Sequence, residues 1–178
     1  MAPSERERFE VEMLPHLDAA YTLARYLMRN DYEADDVVQD AFLRALKYFS
    51  GFRGVGAGAS RAWLLAIVRN TALTWQRRLH RVDVETTEFD ETLHSEAVAD
   101  RDPQADLVRD SSRTTVAEAL QQLPTEFREV IVLRELEGLS YKEISAVTGV
   151  PTGTVMSRLS RARNRLALVL ADAGTERV

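Results

Sequence analysis

Apolar residues recur along most of the chain at the spacing of one helix face. In the first eighty residues, such stripes predict helices around residues 17–28, 38–49 and 64–79. Asn30 and Glu33 fit a helix start between the first two stripes. Residues 51–60 hold four of the eight glycines and predict a flexible loop, after which a helix resumes at Arg61. The first part of the chain is therefore predicted to be helical.

The helical spacing returns after residue 113 and ends in a helix-turn-helix pattern. Two helices separated by Pro124 come first. Ser140 and Glu143 have the spacing of a capping box, and Gly149 supplies the left-handed residue that ends that helix. A last helix begins near Thr152, with its apolar stripe at Val155, Leu159, Ala162 and Leu166.

The segment between these two helical parts has a different composition. Residues 82–111 are rich in Asp and Glu, contain Pro103 and show no sustained period. Such a segment is typical of a flexible linker. We therefore predict an all-α fold with two small helical domains, residues 1–81 and 112–172, joined by a flexible acidic linker. The second domain is predicted to end in the helix-turn-helix.

The net charge of −5 hides a strong separation of signs. No acidic residue occurs between Asp40 and Asp83, where eight cations do, and none occurs from Ile144 to Ala171, where four arginines do. A solvated helix face usually mixes signs, so two acid-free surfaces favour binding to nucleic acid. A helix that is apolar on one side and purely cationic on the other suits the major groove of DNA.

Composition and motifs argue against several other classes of function. The chain has no cysteine, which excludes disulfides and thiolate metal sites. Its three histidines, His16, His80 and His94, are isolated in sequence, and the glycine-rich stretch follows a predicted helix rather than the strand that a dinucleotide site requires. We expect no catalytic residue, no cofactor and no metal. The N-terminus lacks the apolar core of a signal peptide and no apolar run could span a bilayer, so we expect a cytoplasmic protein.

Several short motifs occur in a specific order on this chain. They lie at Asp36–Arg44, Phe52–Gly54, Trp63–Thr71, Leu133–Ile144, Gly153–Val155 and Ser157–Arg163. Together they make residues 9–170 resemble the bacterial RNA polymerase sigma factors of the small extracytoplasmic-function group. The resemblance implies a subunit that binds core RNA polymerase and directs it to promoter DNA.

The resemblance assigns two tasks to the first domain. One helix would bind core polymerase through Asp36, Gln39, Asp40, Phe42 and Arg44. The domain would also capture an unstacked base of the minus-ten element and hold nearby phosphates, which requires stacking and cationic side chains. The resemblance implies that Phe52, Arg53, Trp63 and Asn70 capture the base. It implies that Arg69, Arg77, Arg78 and Arg81 hold the phosphates. Trp63 fits a core position equally well.

The resemblance assigns the minus-thirty-five element to the second domain. Thr154, Ser157, Arg158 and Arg161 would approach base edges and nearby phosphates, whereas Arg128 and Arg165 would hold phosphates. Because arginine pairs bidentately with guanine, we expect a guanine-containing element. Met156 stands where relatives often carry Lys or Arg, which places one expected DNA contact in question.

Partners follow from the same resemblance. We expect core RNA polymerase, promoter DNA and an anti-sigma factor as partners, and a monomer when none of them is bound. Two other classes of protein remain open at this point. A dimeric helix-turn-helix regulator would explain only the second domain, and a module that sequesters a protein partner would explain only the acidic segment.

Overall fold

A computed structural model describes residues 3–86 and 107–175, with side chains described for residues 3–83 and 113–175. These ranges contain eight α-helices and no β-strand. The helices are α1 (Glu5–Met13), α2 (Leu17–Leu27), α3 (Asp31–Tyr48), α4 (Ala57–Thr86), α5 (Leu107–Gln121), α6 (Thr125–Ile131), α7 (Tyr141–Thr148) and α8 (Thr152–Thr175). The predicted all-α fold class is confirmed.

Helices α1 to α4 form the first domain. The Asn30 side chain accepts a hydrogen bond from the Glu33 backbone N–H at 2.8 Å, which confirms the predicted start of α3. Short 3₁₀ turns at Leu14–His16 and Phe49–Gly51 connect α1 to α2 and end α3. Helices α3 and α4 pack against each other and against α2. Their apolar stripes form a core that includes Met13, Leu23, Leu27, Val37, Leu64 and Leu65.

Helix α4 begins earlier than its sequence pattern predicts. The prediction that residues 51–60 form a loop is wrong for the second half of that stretch, because α4 starts at Ala57. Gly56 adopts a φ of 86°, and its carbonyl accepts the N–H groups of Ala59 and Ser60. The Ser60 side chain is fully buried and donates a hydrogen bond to the Glu12 carboxylate at 2.5 Å. A contact with a distant helix therefore fixes residues that the glycine content assigned to a loop.

The helices extend into the segment predicted as a linker. Helix α4 continues to Thr86 and α5 begins at Leu107, so both ends of residues 82–111 are helical. The remaining residues of that predicted linker, 87–106, lie outside the described residues.

Helices α5 to α8 form the second domain, in which α7 and α8 are the predicted helix-turn-helix. A π-helical turn, Val132–Leu136, extends α6. The capping box at Ser140 and Glu143 is present, and Gly149 ends α7 with a φ of 74°. Helix α8 begins at Thr152 and buries Val155, Leu159 and Ala162. The structure thus confirms these predictions, each of which rested on residues only a few positions apart.

The two domains pack directly against each other. Helix α4 of the first domain contacts α7 of the second, and α2 contacts α6. The buried apolar residues of both domains form one cluster that runs from Phe9 to Ala162 along the sequence. The chain is therefore in a closed arrangement.

We expect the capping box of α7 to contribute measurably to the free energy of unfolding. The Ser140 Oγ accepts from the Glu143 N–H at 3.1 Å, and the Glu143 carboxylate accepts from the Ser140 N–H at 2.7 Å. We expect Ser140→Ala to lower the free energy of unfolding in urea by about 1 kcal/mol. Ser160→Ala, at an exposed position of α8, is the control and should change it by less than about 0.5 kcal/mol. Equal effects of the two changes would contradict the role of the cap.

Candidate nucleic-acid and polymerase interfaces

One face of α3 combines exposed polar and apolar side chains. Asp36 and Gln39, both predicted to bind polymerase, are exposed on it. Leu43 lies on the same face and is 68% exposed, and Tyr32 is 78% exposed near the start of the helix. Exposed large apolar side chains beside polar ones are typical of a protein-binding surface. Sequence reasoning missed Leu43 because an apolar residue in a helix is assigned to the core by default.

The other three residues predicted for this surface make contacts inside the domain. Arg44 Nε donates to Asp40 at 3.1 Å, and the Trp75 indole N–H donates to the other Asp40 oxygen at 3.2 Å. The hydrogen bond from Arg44 is the main cause that lowers the pKa of Asp40. The Phe42 ring is half-buried and lies edge-on to the Phe9 ring, with 6.3 Å between the ring centroids. Asp40 therefore ties α3 to α4, and Phe42 contributes to the core.

Aromatic rings fill the corner between α3 and α4. Phe52 stacks on Phe49 with 5.9 Å between ring centroids and lies 5.0 Å from Trp63. Phe52 is buried, whereas Trp63 is half-buried. Arg53 bends back to donate to the carbonyls of Ser50 and Phe52. Phe52 and Trp63, two of the four residues predicted to capture a base, are thus brought together with their rings in contact.

The cations predicted to hold minus-ten phosphates lie along α4 and fall into two groups. Arg77, Arg78 and Arg81 are exposed, as is Asn70. Arg69 is instead turned toward the second domain, where its Nε and a terminal nitrogen donate to Glu129 at 2.7 and 3.1 Å. The Glu129 side chain is only 1% exposed. A carboxylate so deeply buried requires a cation, and Arg69 provides it with two hydrogen bonds.

On α8, most of the arginines contact other parts of the second domain. The Arg158 guanidinium lies 3.7 Å from Glu126 and 4.0 Å from Glu129, and its side chain is 22% exposed. Arg165 lies over the Phe127 ring at 5.1 Å. Arg161 and Ser157 are exposed, and Thr154 is half-buried. The predicted base-contacting residues are therefore on one helix, but Arg158 points back toward α6.

Arg128 has a structural role in this arrangement. Its guanidinium donates to the carbonyls of Leu120, Gln121 and Leu123, at distances from 2.8 to 3.0 Å, and so caps the end of α5. A further hydrogen bond of 3.0 Å reaches the Tyr26 carbonyl of the first domain. Burial lowers the pKa of Arg128. Every nitrogen of this side chain is engaged within the protein, so the phosphate contact predicted for Arg128 would require some of these hydrogen bonds to break.

Several polar contacts between described residues join the two domains. One is the pair of Arg69 and Glu129, and another is at the Tyr26 carbonyl, which accepts from both Arg128 and Gln121. In addition, Arg61 of α4 donates to the Glu137 carbonyl at 3.2 Å and to the Glu143 carboxylate at 3.4 Å. The surfaces predicted for two different DNA elements therefore meet in the closed arrangement.

The described residues hold no group of three or more His, Asp or Glu side chains placed to bind a metal ion. Among these same residues, no helix has the length and apolar character of a membrane span.

Two family models match the chain. The sigma-70 region 2 model matches residues 13–82, and the sigma-70 region 4 model matches residues 113–166. The chain is 36% identical to the ECF RNA polymerase sigma factor SigE of Mycolicibacterium smegmatis over 90% of its own length and 61% of that relative, so it spans about three fifths of SigE. It is also 36% identical to the RNA polymerase sigma-H factor of Pseudomonas aeruginosa, with 91% of this chain and 86% of the relative covered. The same identity relates it to the ECF RNA polymerase sigma-E factor of Escherichia coli, with 83% and 78% covered.

Solved structures agree with these matches. The sigma factor RpoE of Bartonella quintana, in complex with the anti-sigma factor NepR, superimposes with a TM-score of 0.71 at 30% identity, covering 92% of this chain and 97% of that one. CnrH, in complex with the cytosolic domain of CnrY, superimposes with a TM-score of 0.65 at 28% identity, covering 95% and 90%.

The charge on Asp40 predicts a loss of stability in acid. The folded-state pKa of Asp40 is lowered. The ionised carboxylate therefore contributes fully to the free energy of unfolding at pH values above the ordinary Asp pKa of about 3.9. This contribution is lost as the pH falls below that value and through the folded-state pKa. We therefore expect Asp40→Asn to lower the free energy of unfolding at pH 7, and the difference from the natural chain to shrink at pH 3. Urea unfolding at both pH values measures it. Asp35→Asn removes an exposed carboxyl of the same helix and is the matched control. A difference that is equal at pH 3 and pH 7 would contradict the assignment.

Proposed function

The chain belongs to the extracytoplasmic-function sigma factors, the subunits that direct promoter-specific initiation of transcription, and we propose that it performs this task by binding core RNA polymerase and two promoter elements. The observation that carries the proposal is the presence of both sigma regions, in order, on one chain. Neither a dimeric helix-turn-helix regulator nor a sequestering module accounts for both. We propose no catalytic role, in keeping with a family that is not enzymatic in general.

The exposed face of α3 is the proposed contact with core polymerase. Asp36, Gln39 and Leu43 supply a carboxylate, an amide and an exposed apolar side chain on one helix face. Asp40 and Arg44 support this face by joining it to α4 through Trp75. Phe42 packs behind this face against Phe9, and we propose that it supports the surface rather than contacting polymerase directly.

The aromatic corner is the proposed site for an unstacked minus-ten base. Flipping a base costs a few kcal/mol, and stacking on an aromatic ring returns about 1–3 kcal/mol per base. The half-buried Trp63 offers a ring surface to a base, while Phe52 and Phe49 hold that ring in place. Cations on α4 then hold the strand through its phosphates. We assign this role to the exposed Arg77, Arg78 and Arg81, and to Arg69 once it has left Glu129. We place Asn70 and Arg53 beside the captured base.

The outward face of α8 is the proposed contact with the minus-thirty-five element. Ser157 and Arg161 are exposed there, and Thr154 lies beside them. We retain Arg165 as a phosphate contact at the edge of the helix. For Arg158 and Arg128, the contacts within the protein support a different role, in which they hold α8 and α5 in place around α6.

These assignments require the closed arrangement to open. The two promoter elements lie about 25 base pairs apart, which is roughly 85 Å along B-form DNA. In the closed arrangement, Arg69 and Arg158 are both within 4.0 Å of one carboxylate, that of Glu129. The domains must therefore separate before each can reach its own element.

Partners and location complete the proposal. Because RpoE and CnrH were solved with NepR and with the cytosolic domain of CnrY, we propose that an anti-sigma factor holds this chain inactive. We propose that the chain is monomeric when free. Its work with core polymerase and DNA places it in the cytoplasm.

Transcription in vitro tests the function and the α3 face together. We expect core polymerase to produce promoter-specific transcripts only when this chain is added. Leu43→Ser should reduce their yield at limiting sigma concentration about tenfold, because a central apolar contact at an interface is worth more than about 1 kcal/mol. Val11→Ser, which alters an apolar residue that is 74% exposed on α1, is the matched control and should leave the yield unchanged. No gain in specific transcripts with the natural chain would refute the function, whereas equal yields with both variants would refute the α3 assignment alone.

Energy transfer between fluorophores tests the opening. Since the chain has no cysteine, Asp18→Cys and Ala171→Cys at exposed positions give one labelling site in each domain. We expect high transfer in the free chain and low transfer in the complex with core polymerase and promoter DNA. Arg61→Ala removes two contacts between the domains and touches no proposed DNA or polymerase residue. It should raise the low-transfer fraction of the free chain about two- to fivefold, the effect of losing a partly exposed ion pair.

The control for this experiment is Arg6→Ala. Arg6 is 84% exposed, and its one ion pair with a described residue is with Glu10 of the same helix, so its removal should not change the transfer. Low transfer in the free natural chain would show that the closed arrangement is not populated. High transfer that persists in the promoter complex would show that opening is not required.

A further inference from the structure

The first two turns of α8 present an unusual outward face. Val155 and Leu159 point into the core. The outward positions are Thr152, Gly153, Met156, Ser157 and Ser160, all of which are exposed. Met156 is 53% exposed and is the one large side chain among them. It therefore projects beyond its neighbours at the end of the helix that would enter the major groove first.

The arginines of α8 do not surround Met156 with positive charge. Arg158 is directed to Glu126 and Glu129 of α6. Arg163 pairs with Glu135 at 2.6 Å. Arg161, one turn further along, forms no ion pair with any residue that the structure describes. An apolar side chain thus leads the helix, and Arg161 is the first arginine after it that forms no ion pair with a described residue.

The chemistry of a thioether limits what Met156 can recognise. Its sulfur donates no hydrogen bond and accepts only weakly, so it cannot satisfy the polar edges of guanine, cytosine or adenine. The apolar group that base pairs display in the major groove is the C5 methyl of thymine. Methionine is unbranched and flexible, and can lie flat against such a methyl group. Gly153 and Ser160, one turn to either side, leave room for a base to approach.

We propose that Met156 selects a thymine in the duplex element bound by α8, by packing its thioether against the thymine methyl. The inference rests on the proposed function, because it requires α8 to enter the major groove of a promoter element. The element bound by α8 would then contain a thymine read by Met156, in addition to a guanine with which Arg161 can pair.

Replacing thymine by deoxyuracil removes the methyl group and preserves base pairing. The complete chain with core polymerase is first used to select its preferred upstream element from a library of promoters randomised at that element. Each thymine of the selected element is then replaced singly by deoxyuracil, and promoter binding is measured. At one thymine or more, we expect deoxyuracil to weaken binding of the natural chain about fourfold, the effect of one buried methyl group. The same replacement should have no effect on Met156→Ala.

Two further variants make the result specific. Arg161→Ala should weaken binding overall and keep the deoxyuracil effect, since it leaves the thioether in place. Met156→Lys should shift selection at that base pair from thymine to guanine, whose edge offers two acceptors. If the natural chain and Met156→Ala respond alike to every deoxyuracil, or select the same element, the inference is wrong. If the natural chain selects no element and yields no specific transcripts, the proposed function fails, and the inference with it.

Discussion

The Glu129 carboxylate is the point on which the closed arrangement depends. It is buried in the second domain, and an isolated charge there would be far less stable than in water. Arg69 of the first domain supplies two hydrogen bonds, and the Arg158 guanidinium of α8 lies 4.0 Å from the same carboxylate. Removing one partner of a buried pair costs about 3–5 kcal/mol, so the carboxylate strongly favours a cation beside it. When the domains separate, Arg158 remains as that cation, and water reaches the site vacated by Arg69.

This arrangement couples DNA binding to the position of the domains. In the closed state Arg69 neutralises Glu129, whereas on promoter DNA it would neutralise a phosphate. The two contacts exclude each other, so any partner that favours one state disfavours the other by its difference in affinity for the two. Core polymerase and promoter DNA would therefore shift the equilibrium toward the separated domains, and a partner that binds the closed arrangement would shift it back. The weak, partly exposed contacts of Arg61 suit such an equilibrium because they add little to the closed state.

The sequence predicted the local structure well and the contacts between distant residues poorly. The start of α3, the capping box of α7 and the turn at Gly149 follow from residues only a few positions apart. The start of α4 at Ala57 depends on Ser60 meeting Glu12, which no local pattern reveals. The contacts of Arg128 were equally hidden from the sequence. The family resemblance implies a phosphate contact for this arginine, whereas its carbonyl partners lie at other positions of the chain and are brought to it only by the fold. Charge along the sequence thus predicted the candidate surfaces. It could not distinguish arginines that bond to other residues of the protein from arginines that are free to contact DNA.

The pairing of arginines within the protein changes how the second domain would bind DNA. Four arginines on α8 suggest binding dominated by contacts with phosphates and guanines. However, Arg158 and Arg163 are paired with acidic residues, and Arg165 lies over an aromatic ring. Fewer free cations mean a weaker and less salt-dependent contact by this domain alone. On the proposed assignments, the exposed cations of α4, Arg77, Arg78 and Arg81, would then carry most of the attraction to the DNA backbone. Affinity for DNA would reside mainly in the first domain, and the second would add selectivity through a short face of small, apolar and polar side chains. A second domain with little affinity of its own would bind productively only when the first is already on DNA, so both elements would have to be recognised together.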